Sequence, residues 1–459
     1  VANIICCCMG QVTTREDPSG YKIEAEIGRL DVVTHRAEKG SRTVYNTKVA
    51  VFPKTGPKET YHTACYETLV LQLATKLPYR QVEEFINHLR WQDVEDEVQS
   101  RNLAAAVVRE GMAVINYINE RAQEILSQNH LDPQTGAPAA DHPPLNSEDK
   151  EFATIPAAKV EQVINEYNAG REEARRIDAQ QIDELFEDPS VCVNISVDEV
   201  GVIAQKASGR SKNPPPRETR HYVRNTIIHI QQGVGNYILA GLGIRNTLLI
   251  LLAFLCHNKL QDRLLVFFTD GADELKSAIK AIYGFRTFKI ILDWYHLTKK
   301  CKERLSMGMK GRKVRNEVLK ELLALLWQGQ VEAASKYLEH LDDGKVRNPD
   351  EINKLMAYLE RNQDYIPCYA LRKRLGLRIS SNRGEKANDL VVAQRQKHNG
   401  MSWSRPGSSG LANIQTLFLN QEAANWITKR ELNFKLVYPS TPRERHRPFL
   451  RPVPAKKCA

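Results

Sequence analysis

Two apolar runs in this sequence each end on an aspartate. The run "VFFT" is followed by Asp270, and "FKIIL" is followed by Asp293, with His296 three residues further on. Another acid, Asp198, lies inside the β-rich run "VCVNISVDEVGVIAQ". Ligands of mixed and parallel sheets gather at the carboxyl ends of strands, where these acids are expected. Because Mg²⁺ prefers oxygen ligands, the pattern predicts a divalent-ion site.

The chemistry predicted for such a site is displacement at phosphorus. Two ions about 3.5–4 Å apart can activate an attacking oxygen and stabilise a leaving one. Three carboxylates are a sensible minimum, so a third acid is expected from a later helix. Asp198 is followed by Glu199, and the strand pleat directs these two side chains to opposite faces. Asp270 has a second interpretation as a helix N-cap, although Asp273 would serve that purpose equally well.

The elements that must position these acids change character along the chain. Residues 190–296 show three strands, a helix from about Arg245 to Asn258, a strand, a helix and a final strand. This β-β-β-α-β-α-β order predicts an α/β fold in which helices cover a mixed sheet. Residues 297–377 are helical and amphipathic, and residues 378–430 contain a turn followed by further helices.

The order of elements and acids resembles that of the ribonuclease H-like fold. "FFTDGA" followed by "ILDWYHL" resembles bacterial insertion-sequence transposases related to Mutator-like and hAT-like elements. Their Cys/Asp-x-x-His signature corresponds here to Asp293-Trp294-Tyr295-His296. "GEKANDLVVAQRQKHNGMSW" resembles the segment that carries the glutamate of the family and places it at Glu385. "LPYRQVEEFIN" resembles an upstream segment, so the resemblance covers roughly residues 61–426.

The resemblance implies a DDE transposase with Asp198, Asp270 and Glu385 as catalytic residues and metal ligands. Two Mg²⁺ ions, with Mn²⁺ as a substitute, would support cleavage of DNA at element ends and transfer of the 3′-hydroxyl into target DNA. Asp270 and Glu385 are 115 positions apart (385 − 270), and a helical insertion accounts for this separation. Two alternatives stay open: a structure-selective nuclease of the same fold, and a transposase-derived DNA-binding protein without activity.

The D-x-x-H residues are expected at the edge of the active site. Asp293 and His296 would shape the site, and imidazole is not needed by oxygen-preferring ions. Trp294 has two interpretations, as a core residue at the strand end or as a ring that stacks on a base near the cut.

Charge favours a polyanionic partner. The 459 residues contain 65 Lys+Arg and 55 Asp+Glu, a formal charge of +10. Residues 299–315 hold eight Lys/Arg and one acid. The partners expected are the terminal inverted repeats of the element, the target DNA, and a second copy of the chain in a homodimer or larger synaptic complex. The residues expected to contact DNA are Lys299, Lys300, Lys302, Arg304, Arg395 and Lys397.

The remaining regions differ in composition and periodicity. Residues 1–60 are β-rich, and residues 61–130 are helical with a helix-turn-helix-like pair that favours DNA binding. Residues 131–189 form a linker and a charged helix predicted from about Ala157 to Phe186. Residues 378–430 complete the core, and residues 431–459 form a basic tail rich in Pro and Arg.

Cysteine usage and hydropathy exclude other classes. Nine scattered cysteines do not form a disulfide framework. Cys6, Cys8, His62 and Cys65 could form a zinc site. Adjacent thiols fit a tetrahedral ion poorly, however, so we expect reduced free thiols rather than structural zinc. The most apolar run, Thr247–Cys256, is too short to cross a bilayer, and no signal peptide is visible. The expected location is the cytoplasm, at the bacterial nucleoid.

Overall fold

The computed structural model describes residues 61–90, 98–141, 152–177, 179, 184–205, 221–397 and 400–439, together with the backbone of five N-terminal strands. The chain divides into two compact units. The first contains residues 1–116, 202–223 and 394–433, and the second contains residues 117–201, 224–393 and 434–459. This division differs from the sequence-based one, because residues 394–430 fall in the first unit rather than with the second.

The first unit begins with short strands. They are β1 (Thr13–Glu16), β2 (Tyr21–Ala25), β3 (Gly28–Val32), β4 (His35–Lys39), β5 (Arg42–Asn46) and β6 (Tyr61–His62). The strands form two three-stranded sheets, in the orders β1-β4-β5 and β3-β2-β6. The β-rich character expected at the N-terminus is therefore present.

Two helices follow, α1 (Ala64–Ala74) and α2 (Tyr79–Arg90). The Thr63 hydroxyl caps α1 by accepting a hydrogen bond from the backbone of Tyr66 at 3.2 Å. The buried face of α2 consists of Val82 and Ile86, whereas Phe85 and Leu89 of the predicted apolar stripe are exposed. The core side of α2 is thus narrower than its sequence periodicity suggested.

The long helix α3 (Ser100–Gln128) comes next. In the first unit, a Cβ added at Gly111 would lie 2.3 Å from the Cα of Gly410. Only paired glycines allow this approach, which packs α3 directly against helix α14 (Arg405–Leu419). The last helix of this unit, α15 (Ala423–Lys429), adds Trp426, whose indole N–H donates to Glu110 at 2.7 Å.

The second unit contains a five-stranded sheet. Its strands are β7 (Val193–Ile203), β8 (Tyr222–Gln232), β9 (Gly235–Gly241), β10 (Leu265–Thr269) and β11 (Phe288–Leu292). Their order in space is β11-β10-β7-β8-β9. Strand β10 runs parallel to both β11 and β7, whereas β8 and β9 are antiparallel. A mixed sheet is confirmed, and its strands follow the predicted β-β-β-α-β-α-β sequence.

Helices α5 (Ile244–His257) and α6 (Asp273–Tyr283) connect the strands. Helix α5 is buried almost throughout, which explains its uninterrupted apolar sequence. Every residue of β10 is buried as well, as expected for a central strand covered on both faces. A search of the described helices finds none with the length and hydropathy that crossing a bilayer requires.

A set of helices follows β11. They are α7 (Trp294–Gly308), α8 (Arg312–Trp327), α9 (Val331–Glu339), α10 (Pro349–Arg361) and α11 (Tyr369–Arg374). Their apolar faces share one core with the sheet, in which Phe268 and Leu292 pack with residues such as Leu305, Leu326 and Leu359. The predicted helical insertion is therefore joined to the sheet by a continuous hydrophobic core.

One predicted helix is shorter than expected. Helix α4 spans Ala157–Asn168 rather than continuing to Phe186. The reason is local, because Gly170 adopts a positive φ of 73°, a conformation that ends a helix. A short 3₁₀ turn, Glu173–Arg175, follows α4.

Candidate active site

Two of the three predicted acids belong to neighbouring parallel strands: Asp198 lies within β7, and Asp270 directly follows β10. Ser196 of β7 is opposite Phe268 of β10. Continuing this register by two residues sets Asp198 opposite Asp270, the residue that follows β10. The local sequence explains the turn, because Gly271 has a φ of 86° and a Cβ there would lie 2.8 Å from Leu292. The sheet therefore brings the two aspartates to one edge.

Asp198 is half-buried, and each of its carboxylate oxygens accepts a hydrogen bond. Oδ1 accepts a hydrogen bond from the backbone of Glu199 at 2.8 Å, and Oδ2 accepts one from Asn388 Nδ2 at 2.5 Å. Burial raises the pKa of Asp198 to about 6, and the negative charges of Asp270 and Glu385 contribute to this increase. The three carboxyl groups therefore interact electrostatically across a shared space.

The third acid is carried by α12 (Asn382–Asn388). This helix lies close to the sheet because a Cβ at Gly384 would be 2.7 Å from the Cβ of Ser196. Glu385 is half-buried, and its Oε1 is 3.8 Å from Nε2 of His296. A π-helical turn, Asp389–Ala393, follows α12, and such turns interrupt α-helices frequently at functional sites.

The D-x-x-H residues form the N-terminus of α7. Asp293 is completely buried and caps the helix by accepting a hydrogen bond from the backbone of His296 at 3.0 Å. It also accepts one from the backbone of Ser381, just before α12. Burial alone would raise the pKa of Asp293, but these hydrogen bonds lower it below its ordinary value. Asp293 thus joins the start of α7 to the segment that leads to Glu385.

His296 lies between two carboxylates. Its Nδ1 is 3.3 Å from Asp293 Oδ1, within ion-pair distance but without the geometry of a hydrogen bond. The Asp293 carboxylate raises the pKa of His296 above its ordinary value. This arrangement places the His296 ring next to Asp293 and Glu385, and its position at the edge of an active site stays a prediction.

A cavity of about 390 Å³ opens beside Asp270, and its lining includes five Lys or Arg residues and three acids. Lys299 and Lys300 line it and form no ion pair among the described residues. Arg304 also lines it, but its guanidinium is 2.7 Å from Glu351. Two lysines are therefore available to an anionic ligand next to the acids, whereas Arg304 is already paired.

The other three residues predicted to contact DNA differ in their exposure. Lys302 is exposed on α7 and does not line the cavity. Lys397, in the first unit, is exposed and stays a predicted contact. The prediction for Arg395 is wrong, because this residue is buried in the first unit. Its Nε donates to the carbonyl of Ala74 at 2.9 Å, and its guanidinium lies 5.1 Å from the centre of the Trp403 ring.

Trp294 packs in an aromatic cluster. Its ring centre is 4.8 Å from that of Trp327 and 4.9 Å from that of Tyr369. It is not among the residues that line the basic cavity. We therefore correct its assignment to the edge of the active site, since these contacts fit the packing interpretation rather than stacking on a base.

The acids suit a divalent cation in composition, but they are not assembled around one. No group of three His, Cys, Asp or Glu side chains in the described part of the chain is close enough together to hold a metal. Charge interactions act over longer distances than coordination bonds, which explains why Asp198 still responds to both other acids. A hard cation would relieve this repulsion, so the donor set fits Mg²⁺ once the side chains draw together.

The zinc site considered in the sequence analysis would involve cysteines of the N-terminal region. Cys6, Cys7 and Cys8 lie outside the described residues. Cys65 is an exposed free thiol.

Sequence reasoning missed Asn388. This residue is buried and contacts Asp198 directly. A signal was present, because Asn388 follows Glu385 by three positions and residues at this spacing share a helix face. The side-chain amide of Asn388 could therefore have been predicted to lie near Glu385, and so near the other acids of the candidate site.

Comparisons with known proteins give little support for any assignment. No protein-family model matches the chain, and no curated protein matches it in sequence. Among solved structures, the chain is similar to one described as "Drosophila P element transposase strand transfer complex". The identity is 10%, the TM-score is 0.24, and the match covers 82% of this chain and 83% of that chain. Because this TM-score is too low to establish a shared fold, the strand order and the acid positions carry the functional argument.

Proposed function

We propose that this protein is a DDE transposase of a bacterial insertion sequence. The observation that supports the proposal is that Asp198 and Asp270 belong to neighbouring parallel strands and that the helix carrying Glu385 packs on Ser196 of the same sheet. The order of strands and helices is compatible with a ribonuclease H-like core. The proposed substrates are the terminal inverted repeats of the element and a target DNA.

In this proposal the three carboxylates hold two Mg²⁺ ions, or Mn²⁺ as a substitute. When bound, such a pair of ions activates an attacking oxygen and stabilises a leaving oxygen at phosphorus. Asn388 fixes the orientation of the Asp198 carboxylate, and His296 restrains Glu385. Lys299 and Lys300 lie in the cavity beside Asp270, where they can contact the phosphates of the bound strand.

The proposal also includes assembly and location. Two element ends must be held together during joining, so we propose a homodimer or a larger synaptic complex that acts at the bacterial nucleoid. The helix pair α1 and α2 would contribute to DNA binding, as their helix-turn-helix-like arrangement suggests.

A cleavage and joining assay tests the proposal. The full chain is incubated with Mg²⁺, with duplexes made from the DNA that flanks its coding sequence, and with a supercoiled target plasmid. We expect 3′-hydroxyl ends and joined products. Asp198→Asn, Asp270→Asn and Glu385→Gln should each abolish both products while DNA binding survives, because each change removes one charge and barely alters shape.

Asp343→Asn is the matched control, since Asp343 is exposed on a turn distant in sequence from the three acids. Cleavage without joining would replace transposition by the nuclease alternative. DNA binding without cleavage in the wild-type protein would support the inactive DNA-binding alternative. Retained cleavage by one acid variant would remove that acid from the proposed site.

A further inference from the structure

Two arginines near the start of α12 have opposite surroundings. Arg372 is fully buried and forms ion pairs with Glu187 and with Glu184, the latter at 3.0 Å. Its Nε also donates to the backbone carbonyl of Arg378 at 3.0 Å. A buried guanidinium is normally accommodated in this way, because paired carboxylates offset its loss of hydration.

Arg378 lacks any such partner among the described residues. Its Nη2 is buried and donates no hydrogen bond there, and the residue forms no ion pair with any described side chain. Arginine does not release its proton under ordinary conditions, so the charge cannot be avoided by deprotonation. Burying an unpaired charge is unfavourable unless another group compensates it.

The neighbours of Arg378 do not compensate the charge. Burial and the positive charge of Arg383 together lower the pKa of Arg378 to about 10. The nearby Cys192 is a neutral thiol, because burial raises its pKa to about 11.

His229 of β8 belongs to the same group of residues as Arg378 and Arg383. It is only 6% exposed, and its Nδ1 has no hydrogen-bond partner within the described ranges. Burial, followed by the charges of Arg378 and Arg383, lowers its pKa to about 4, so the imidazole is neutral. A neutral imidazole can donate from Nδ1 in the appropriate tautomer.

The strand pattern places this group beneath α12. Glu199 of β7 contacts Thr226 of β8 at 3.3 Å, so these two side chains share one face of the sheet. Alternation along each strand then puts Asp198 and His229 together on the other face. Because α12 packs on Ser196 of this same face, the group lies beside the candidate active site.

We propose that Arg378, Arg383 and His229 form a binding site for a phosphate group. Two guanidinium groups would supply charge and paired donors, and His229 Nδ1 would donate one more hydrogen bond. Arg383 is exposed and gives the site access from solvent. Identifying the ligand as a phosphodiester of DNA rests on the proposed function, whereas inorganic phosphate has the same chemistry and is its other source.

The first experiment measures binding of inorganic phosphate to the full chain without DNA or metal. Calorimetric titration is compared for wild type, Arg378→Gln, Arg383→Gln and the control Arg263→Gln. Arg263 is an exposed arginine before β10, at the end of that strand opposite Asp270. Loss of a charge-assisted hydrogen bond should weaken phosphate binding roughly tenfold or more in the first two variants, but not in the control.

Thermal melting without phosphate provides a second readout. Arg378→Gln removes a half-buried charge that has no ion pair among the described residues, so the variant should melt at or above the wild-type temperature and lose most of the stabilisation by phosphate. A purely structural arginine would behave in the opposite way, with a lower melting temperature and an unchanged response to phosphate. That result, together with unchanged binding in the exposed Arg383→Gln variant, would overturn the proposal.

A third measurement distinguishes the two sources. Binding of a duplex oligonucleotide is followed as a function of salt for the same proteins. A slope shallower by about one in Arg378→Gln identifies the ligand as a DNA phosphate. An unchanged slope with weakened phosphate binding identifies free phosphate. Because neither measurement requires cleavage, a failure of the proposed function leaves the phosphate site testable.

Discussion

Asp293 is buried and Asp198 is half-buried, and both belong to strands of one sheet or directly follow them, yet their surroundings differ. Asp293 follows β11 and accepts hydrogen bonds from the backbones of His296 and Ser381, which lower its pKa. Asp198 lies within β7, and burial with nearby negative charge raises its pKa to about 6. The first carboxylate is stabilised in its charged form, and the second is destabilised.

This difference matches the proposed roles, in which Asp293 is a structural acid and Asp198 is a metal ligand. Asp293 is satisfied by the fold alone and joins the start of α7 to the segment before α12. Asp198 remains unfavourable until something positive arrives, which is the condition expected of a metal ligand. The same contrast distinguishes paired Arg372 from Arg378, which has no ion pair among the described residues.

The largest stability effect is expected at the satisfied acid. Asp293→Ala removes the N-cap of α7 and leaves the buried amide of Ser381 without an acceptor. The free energy of unfolding should fall by about 2–4 kcal/mol. Chemical denaturation measures this loss, with Asp293→Asn as the control that retains an acceptor. An alanine variant as stable as wild type would show that these hydrogen bonds contribute little.

Asp198, whose pKa is raised, should change stability with pH in the direction opposite to that of a carboxylate whose pKa is lowered. The pKa of Asp198 rises from 3.8 to about 6 on folding. Its contribution to stability is therefore fully present below pH 3.8 and is lost as the pH rises through about 6. The total loss is at most about 3 kcal/mol.

The measurement compares unfolding free energies of wild type and Asp198→Asn in a chelator between about pH 4 and pH 8, roughly the window that these pKa values define. The variant should gain stability relative to wild type as the pH rises. A difference that is constant across this range would contradict the raised pKa.

Asn388 offers a sharper test of how Asp198 is positioned. Asn388→Ala removes the amide that donates to Asp198 Oδ2, so the carboxylate loses its fixed orientation. Residues that orient a metal ligand typically affect activity by about 10–100-fold. Cleavage rates are compared with those of Asn382→Ala, an exposed position on the same helix. A loss equal in both variants would assign the effect to the helix rather than to the hydrogen bond.

Much of this arrangement could be predicted from the sequence. An apolar run such as "LLVFFT" can only be a strand or a helix of the core. The short length of these runs and the turns that flank them favoured strands, and so predicted the mixed sheet. The position of Asp270 followed from the end of a predicted strand, and that of Asp198 from its place within another predicted strand. The role of Glu385 depended on family resemblance, because its helix periodicity did not place it against the sheet.

Other features required three-dimensional structure. Arg395 lies in a basic stretch, but tertiary packing buries it between aromatic rings and the carbonyl of Ala74. The contact between Asn388 and Asp198 joins residues 190 positions apart. The end of α4 depended on the backbone conformation of Gly170, which neighbouring residues do not determine. Long-range packing decided the first two cases, and local backbone conformation decided the third.

The smallest effect is expected at the surface lysines. Lys299→Gln with Lys300→Gln removes two cavity cations that have no ion pair among the described residues, whereas Lys302→Gln alters an exposed lysine of the same helix outside the cavity. The double variant should weaken binding to all DNA sequences. Its salt dependence should become shallower by about one for each phosphate that the protein no longer neutralises. Salt titrations of DNA binding test this. A decrease restricted to the element ends would instead indicate sequence recognition.

The most direct test of the central claim is the response of protein stability to Mn²⁺. If Asp198, Asp270 and Glu385 form a divalent-ion site, Mn²⁺ should raise the free energy of unfolding of wild type. The increase should be about 2.7 kcal/mol when the ion is present at about 100 times its dissociation constant. Asp198→Asn should lose most of this increase, and Asp293→Asn should retain it. An equal response in wild type and Asp198→Asn, or no response in wild type, would contradict the claim.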